Sequence, residues 1–139
     1  MNVRRTGLIL VLSAAALSGC ASHGMSRGPC VVGEPRSSVD LYFGLSVKDA
    51  PEVSDAQFAD FLDREVTPRF PQGLTVIDAQ GRWRMADGQI VREPSKIVQI
   101  VLPGAPDDLA KLDSVRDAYK RRFHQEAVLE TIGKACAAF

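Results

Sequence analysis

The feature that most constrains this chain is the stretch of residues 74–102, LTVIDAQGRWRMADGQIVREPSKIVQIVL. Two alternating segments, Leu74–Met85 and Gln89–Leu102, flank Asp87-Gly88. Asp-Gly between alternating runs is a strong hairpin signal, because the favoured two-residue turn needs positive φ at both positions. Pairing outward from that turn sets Met85 opposite Ile90, Trp83 opposite Arg92 and Arg82 opposite Glu93. These are an apolar pair, a cation–π pair and an opposite-charge pair. Carried further unchanged, the same register would place Asp78 opposite Ile97. One extra residue at Ala79-Gln80-Gly81 moves Asp78 to Lys96, Val76 to Val98 and Leu74 to Ile100. The sequence therefore predicts a bulge near Gly81, since glycine is a residue that bulges commonly use.

The flanking segments supply the rest of a fold. Val39–Val47 alternates, with Leu41, Phe43 and Leu45 on one side and Tyr42, Gly44 and Ser46 on the other, and reads as a half-buried strand. Residues 53–71, VSDAQFADFLDREVTPRFP, read as a helix. Ser54 with Gln57 is a capping box, Val53 and Phe58 are placed as its hydrophobic staple, and Pro68 and Pro71 end it. Phe58, Phe61, Leu62 and Val66 form its apolar stripe. Residues 106–123 read as a second helix, with Asp107 and Asp108 at its positive start and Lys120, Arg121 and Arg122 at its negative end. Its inner stripe is Leu109, Leu112, Val115, Tyr119 and Phe123. Ala127–Ile132 reads as a last strand and Ala135–Phe139 as an extended tail. The order β-α-β-β-α-β predicts an α+β, ferredoxin-like sandwich: a four-stranded antiparallel-type sheet with two helices on one face. In that plan the first and last strands are neighbours, and the chain end lies near the start of the first strand.

The opening residues carry an address. Arg4 and Arg5 precede an apolar run, Gly7–Leu17, that falls short of the ~20 residues a spanning helix needs. Leu17-Ser18-Gly19-Cys20 resembles the lipobox of bacterial lipoproteins, in which the leader is cut before the cysteine and lipid is attached to it. The expected organisation is a signal peptide over 1–19, a lipid-anchored tether over 20–38 and a folded domain over 39–139. Ala21, in place of Asp, points to the outer membrane, periplasmic side, rather than the inner membrane. Loss of the two leader arginines leaves 15 basic against 17 acidic residues, a net of −2, which gives no reason to expect a nucleic-acid partner. The chain has three cysteines. With Cys20 lipidated and the compartment oxidising, Cys30 and Cys136 are expected to form a disulfide.

A sheet with helices on one face leaves the other open. The alternation places Tyr42, Thr75, Ile77, Ile97, Gln99 and Val101 there, a face apolar enough to need a cover. The arm Val31–Ser38, a second copy of the domain or a ligand would serve, so a homodimer through this face is one expectation. The search for chemistry is spare. Gly44-Leu45-Ser46-Val47-Lys48 lacks the second glycine of a nucleophile elbow, His23 lies in the tether, and His124 sits at a helix end. No metal-ligand spacing and no glycine-rich phosphate loop suggest a metal or cofactor. The residues best suited to hold a small anionic molecule are Tyr42, Trp83, Lys96, Tyr119 and Arg122.

Taken together, LYFGLS, EVTPRFPQGLTVIDAQGRWR, EPSKIV and DAYKRRFHQEAVL resemble the bacterial domain-of-unknown-function family numbered three-five-seven-four, from about Leu41 to the end. Members are small envelope proteins, often lipoproteins. The resemblance implies a shared fold and brings no reaction, ligand or catalytic residue with it. The expectation is a membrane-anchored envelope lipoprotein serving as a non-catalytic binding or interaction module. The alternatives are a small periplasmic enzyme acting on a small anionic compound at the open sheet face, and an envelope-assembly partner using the hairpin tip.

Overall fold

The computed structural model describes residues 30–84 and 87–139. The expected leader over residues 1–19, Cys20 and His23, and the expected Met85 pairing at the hairpin tip, lie outside the described residues. Four strands, β1 (Glu34–Gly44), β2 (Thr75–Arg84), β3 (Ile90–Leu102) and β4 (Leu129–Ala137), and two helices, α1 (Asp55–Phe61) and α2 (Asp108–Phe123), follow in the expected order. The sheet runs β2-β3-β1-β4, with every neighbouring pair antiparallel. This is the ferredoxin-like sandwich.

Local chemistry starts and stops the elements. The Ser54 hydroxyl accepts from the Gln57 backbone N–H at 3.3 Å, and the Gln57 side chain accepts from the Ser54 N–H at 2.9 Å, so the capping box is formed. Beyond Phe61 the helix widens into a π turn, Leu62–Val66, closed by the Thr67 N–H on the Leu62 carbonyl. Pro68, which has no N–H to donate, follows at once. In the core, Phe43 of the central strand β1 meets Phe58, Phe61 and Tyr119 edge-on, with centroids 4.6–5.7 Å apart. Val39, Leu41, Val98, Ile100, Leu112 and Val115 extend that core and are buried. At the far end Cys30 and Cys136 are bonded, their Cα atoms 5.5 Å apart across 106 positions of sequence.

Several expectations are corrected. β1 begins at Glu34, so residues 34–38, assigned to the tether, are strand. Their polar composition reads as a loop, but β4 pairs with them from Glu34↔Ala137 to Ser38↔Gly133, and that ladder decides. β4 correspondingly runs on to Ala137, through most of the expected tail. No bulge interrupts β2: the register Asp78↔Lys96 continues unbroken to Arg84↔Ile90. The extra residue is taken up in the connection 85–89, where Asp87 accepts from the Gln89 N–H and Gly88 has φ +89°. Arg82 therefore faces Arg92, and Trp83 faces Val91. Gly81 sits within the regular ladder opposite Glu93, with the Trp83 ring beside it. Leu109, expected inside α2, is exposed, and the neighbouring Asp108 is buried in its place.

Candidate functional site

The structure divides the five candidate ligand residues between two sides of the sheet. Tyr42 and Trp83 lie on the open face; Lys96, Tyr119 and Arg122 lie on the helix side. Each of the latter three is already occupied. Lys96 sits between Asp55 at 2.6 Å and Asp78 at 2.5 Å, and these two carboxylates, Asp55 first, hold its ammonium above the usual lysine range. Arg122 pairs with Asp60 at 2.7 Å and lies over the Phe123 ring at 5.1 Å. Asp60 also takes the Arg64 side chain; these two guanidinium hydrogen bonds, Arg64 first, hold its carboxyl below the usual range. Tyr119 is fully buried and its hydroxyl donates to the Gly44 carbonyl at 2.8 Å. Burial, and secondarily Glu93, push that phenol well above the usual tyrosine range. Neither of the two hollows described for residues 30–84 and 87–139 is lined by any of these five residues.

Sequence reasoning undervalued Glu93, which it paired with Arg82. Its carboxylate instead lies over Gly44, where a Cβ would come within 2.4 Å of Oε1. Oε1 accepts from the Ser46 N–H at 3.2 Å. Gln125 donates to the Ser46 carbonyl at 2.7 Å. Glu93, Tyr119 and Gln125 thus lock the end of β1. Burial, followed by the nearby Glu52 charge, raises the Glu93 carboxyl, and the Ser46 N–H opposes that rise.

The open face itself has an order that only the register reveals. Leu129, Tyr42, Ile97 and Ile77 stand opposite one another in a single apolar row across all four strands. Leu129 is 60% and Ile77 43% exposed. On one side runs a polar row, Thr131, Asp40, Gln99 and Thr75, in which the Gln99 amide donates to Asp40 at 3.1 Å. On the other side lie the small residues Gly44, Ser95 and Ala79, and beyond them Trp83, 45% exposed. The arm does not cover this face: residues 34–38 are part of the sheet, and Val31 and Val32 are exposed.

A separate cavity of about 770 Å³ opens at the disulfide end, lined by Cys30, Cys136, Arg36, Leu102, Asp108 and Lys134 among others. Asp108 Oδ2 accepts from the Gly104 and Ala105 N–H groups at 2.9 and 2.8 Å, closing the loop that leads into α2. Its Oδ1 is buried without a hydrogen bond among the described residues. Arg36 of the same wall is paired with Glu34 at 2.6 Å.

Among solved structures the chain is similar to a phage SAM lyase in its apo state, at 23% identity and a TM-score of 0.54, over 72% of this chain and 81% of that one. The same kind of enzyme in complex with S-methyl-5'-thioadenosine matches at 21% identity and a TM-score of 0.52, over 73% and 90%. CutA from Synechococcus elongatus PCC7942 matches at 10% identity and a TM-score of 0.51, over 77% and 83%. Likeness at these identities is a likeness of fold. No curated protein matches. The family described as "Protein of unknown function (DUF3574)" matches residues 38–139, which hold all of the helices and all but the first four residues of the sheet. That match covers most of the chain, which therefore belongs to this family.

Proposed function

We propose that this protein is an envelope lipoprotein, held to the membrane through lipid on Cys20, whose domain is a non-catalytic binding or interaction module. The observation that carries the reading is the apolar row Leu129-Tyr42-Ile97-Ile77 on an uncovered sheet face. Large apolar side chains aligned across a whole sheet favour burial against a partner. The enzyme alternative draws no comparable support, because Lys96, Arg122 and Tyr119 are spent on ion pairs and a buried hydrogen bond, on the side of the sheet away from that face. A general acid or base has to reach its substrate, and these groups are committed to other partners.

Two readouts test the proposal. Cells fed an alkyne analogue of palmitate should label the wild-type chain and leave Cys20→Ala unlabelled. Trp83 is the chain's one tryptophan, so its emission reports this face directly. In isolated membranes the emission should be blue-shifted and shielded from acrylamide, relative to the diluted protein in detergent. An unlabelled wild type, or a Trp83 equally quenched in both settings, would overturn the reading.

A further inference from the structure

Resting on the reading of the open face as an interaction surface, we infer that its partner is a second copy of this chain, packed sheet to sheet about a two-fold axis. Three observations lead there. The first is size. Four strands spaced ~4.8 Å apart, each about ten residues long at ~3.3 Å per residue, present roughly 600 Å² per copy. Two such faces bury roughly 1,200 Å², which clears the ~1,000 Å² that a specific interface needs.

The second is charge. A two-fold contact sets a surface against itself, so any unbalanced charge meets its own kind. On this face the aspartate of the polar row, Asp40, is engaged by the Gln99 amide, and Glu93 lies down over Gly44 with Oε1 on the Ser46 N–H. The lysine with the greatest pull at that end, Lys96, is turned to the helix side and held by Asp55 and Asp78. The apolar row Leu129-Tyr42-Ile97-Ile77 carries no charge, and the two carboxylates, Asp40 and Glu93, lie off it and are each held by hydrogen bonds within their own copy.

The third is shape. Trp83 projects from one end of the face, beyond the small residues Ser95 and Ala79. A two-fold axis through the middle of the apolar row sets the rows of the two copies against each other, an isologous contact in which one patch serves both copies. A small ligand has less to hold it, since the hollow found on this face, about 280 Å³ beside Thr75, Gln99, Val101 and Phe139, is confined to one corner.

The test uses the mature chain purified with its lipid in detergent, followed by sedimentation equilibrium with the detergent density-matched. The wild type should run at twice the protein mass at micromolar concentration. Leu129→Lys, an exposed edge substitution that leaves the core untouched, and Ile97→Lys, at the centre of the row, should each weaken association at least a hundredfold. Trp83→Ala should weaken it at least tenfold, with the far-ultraviolet circular dichroism unchanged in all three. A monomeric wild type, or variants that associate as the wild type does, would overturn the inference. If the wild type is monomeric yet Trp83 is shielded on native membranes, the interaction surface stands and the second copy is the wrong partner.

Discussion

Removing the Cys30–Cys136 bond should lower stability far more than any single surface substitution. The bond joins residues 106 positions apart, so it closes nearly the whole folded chain into one loop. Loop-closure entropy for a ring of about 100 residues is worth about 4.7 kcal/mol, felt in the unfolded state. The native sheet does not depend on it, since β1 and β4 pair over nine residues from Glu34↔Ala137 to Tyr42↔Leu129. At about 4 °C per kcal/mol for a domain of this size, the melting temperature should fall by about 15–20 °C. The clean perturbation is Cys30→Ser with Cys136→Ser, which leaves no lone thiol to cross-link. Calorimetry of the double variant, and of the wild type under reductant, should give the same lowered melting temperature, with unchanged circular dichroism below it. A fall of less than about 5 °C, or free thiols at these positions in native protein, would refute the reasoning.

Other outcomes follow from the same geometry. Gly44→Ala should displace the Glu93 carboxylate from the Ser46 N–H and cost about 1 kcal/mol in urea unfolding, and that cost should vanish in a Glu93→Ala background. Burial raises the Glu93 carboxyl, so folding favours its protonated form, and the stability this gives below the unfolded pKa is lost as pH rises through the folded one. Glu93→Gln should therefore melt above the wild type at neutral pH, with the difference shrinking as pH falls through the raised range of the folded carboxyl and gone below the ordinary glutamate range. Lys96→Met should cost under about 1 kcal/mol, because both carboxylates it bridges are exposed to solvent. A larger loss in denaturant titration would mean that the pair does more than tie α1 to β2.

The parts of the fold legible in the sequence were those written locally or fixed by parity. Ser54 and Gln57 lie within one turn and make the cap that their spacing predicts. Alternation put Leu41, Phe43 and Leu45 inside and left Ile77 outside, as found. Cys30 and Cys136 meet because the topology makes β1 and β4 neighbours, a consequence of element order rather than of any motif. The hairpin tip misled because Asp87-Gly88 fits a two-residue turn, whereas the unbroken ladder behind it leaves a five-residue connection. The start of β1 was hidden because Glu34–Ser38 has loop composition and is held by pairing with β4, a long-range term that composition does not carry. The candidate ligand residues share a chemical type, and type does not say which side of a sheet a residue faces. Register does: the same parity that separates Lys96 from Ile97 places Lys96 on the helix side and lines up the apolar row on the other.

Whether that row is an interface can be asked in the cell. A photo-crosslinking phenylalanine analogue placed at position 42, in the middle of the row, should give on irradiation of intact cells a single adduct of twice the chain's mass, containing this chain alone and lost when Leu129 is changed to Lys. Tyr42 adducts confined to lipid or solvent, or an adduct with a different protein, would contradict the account.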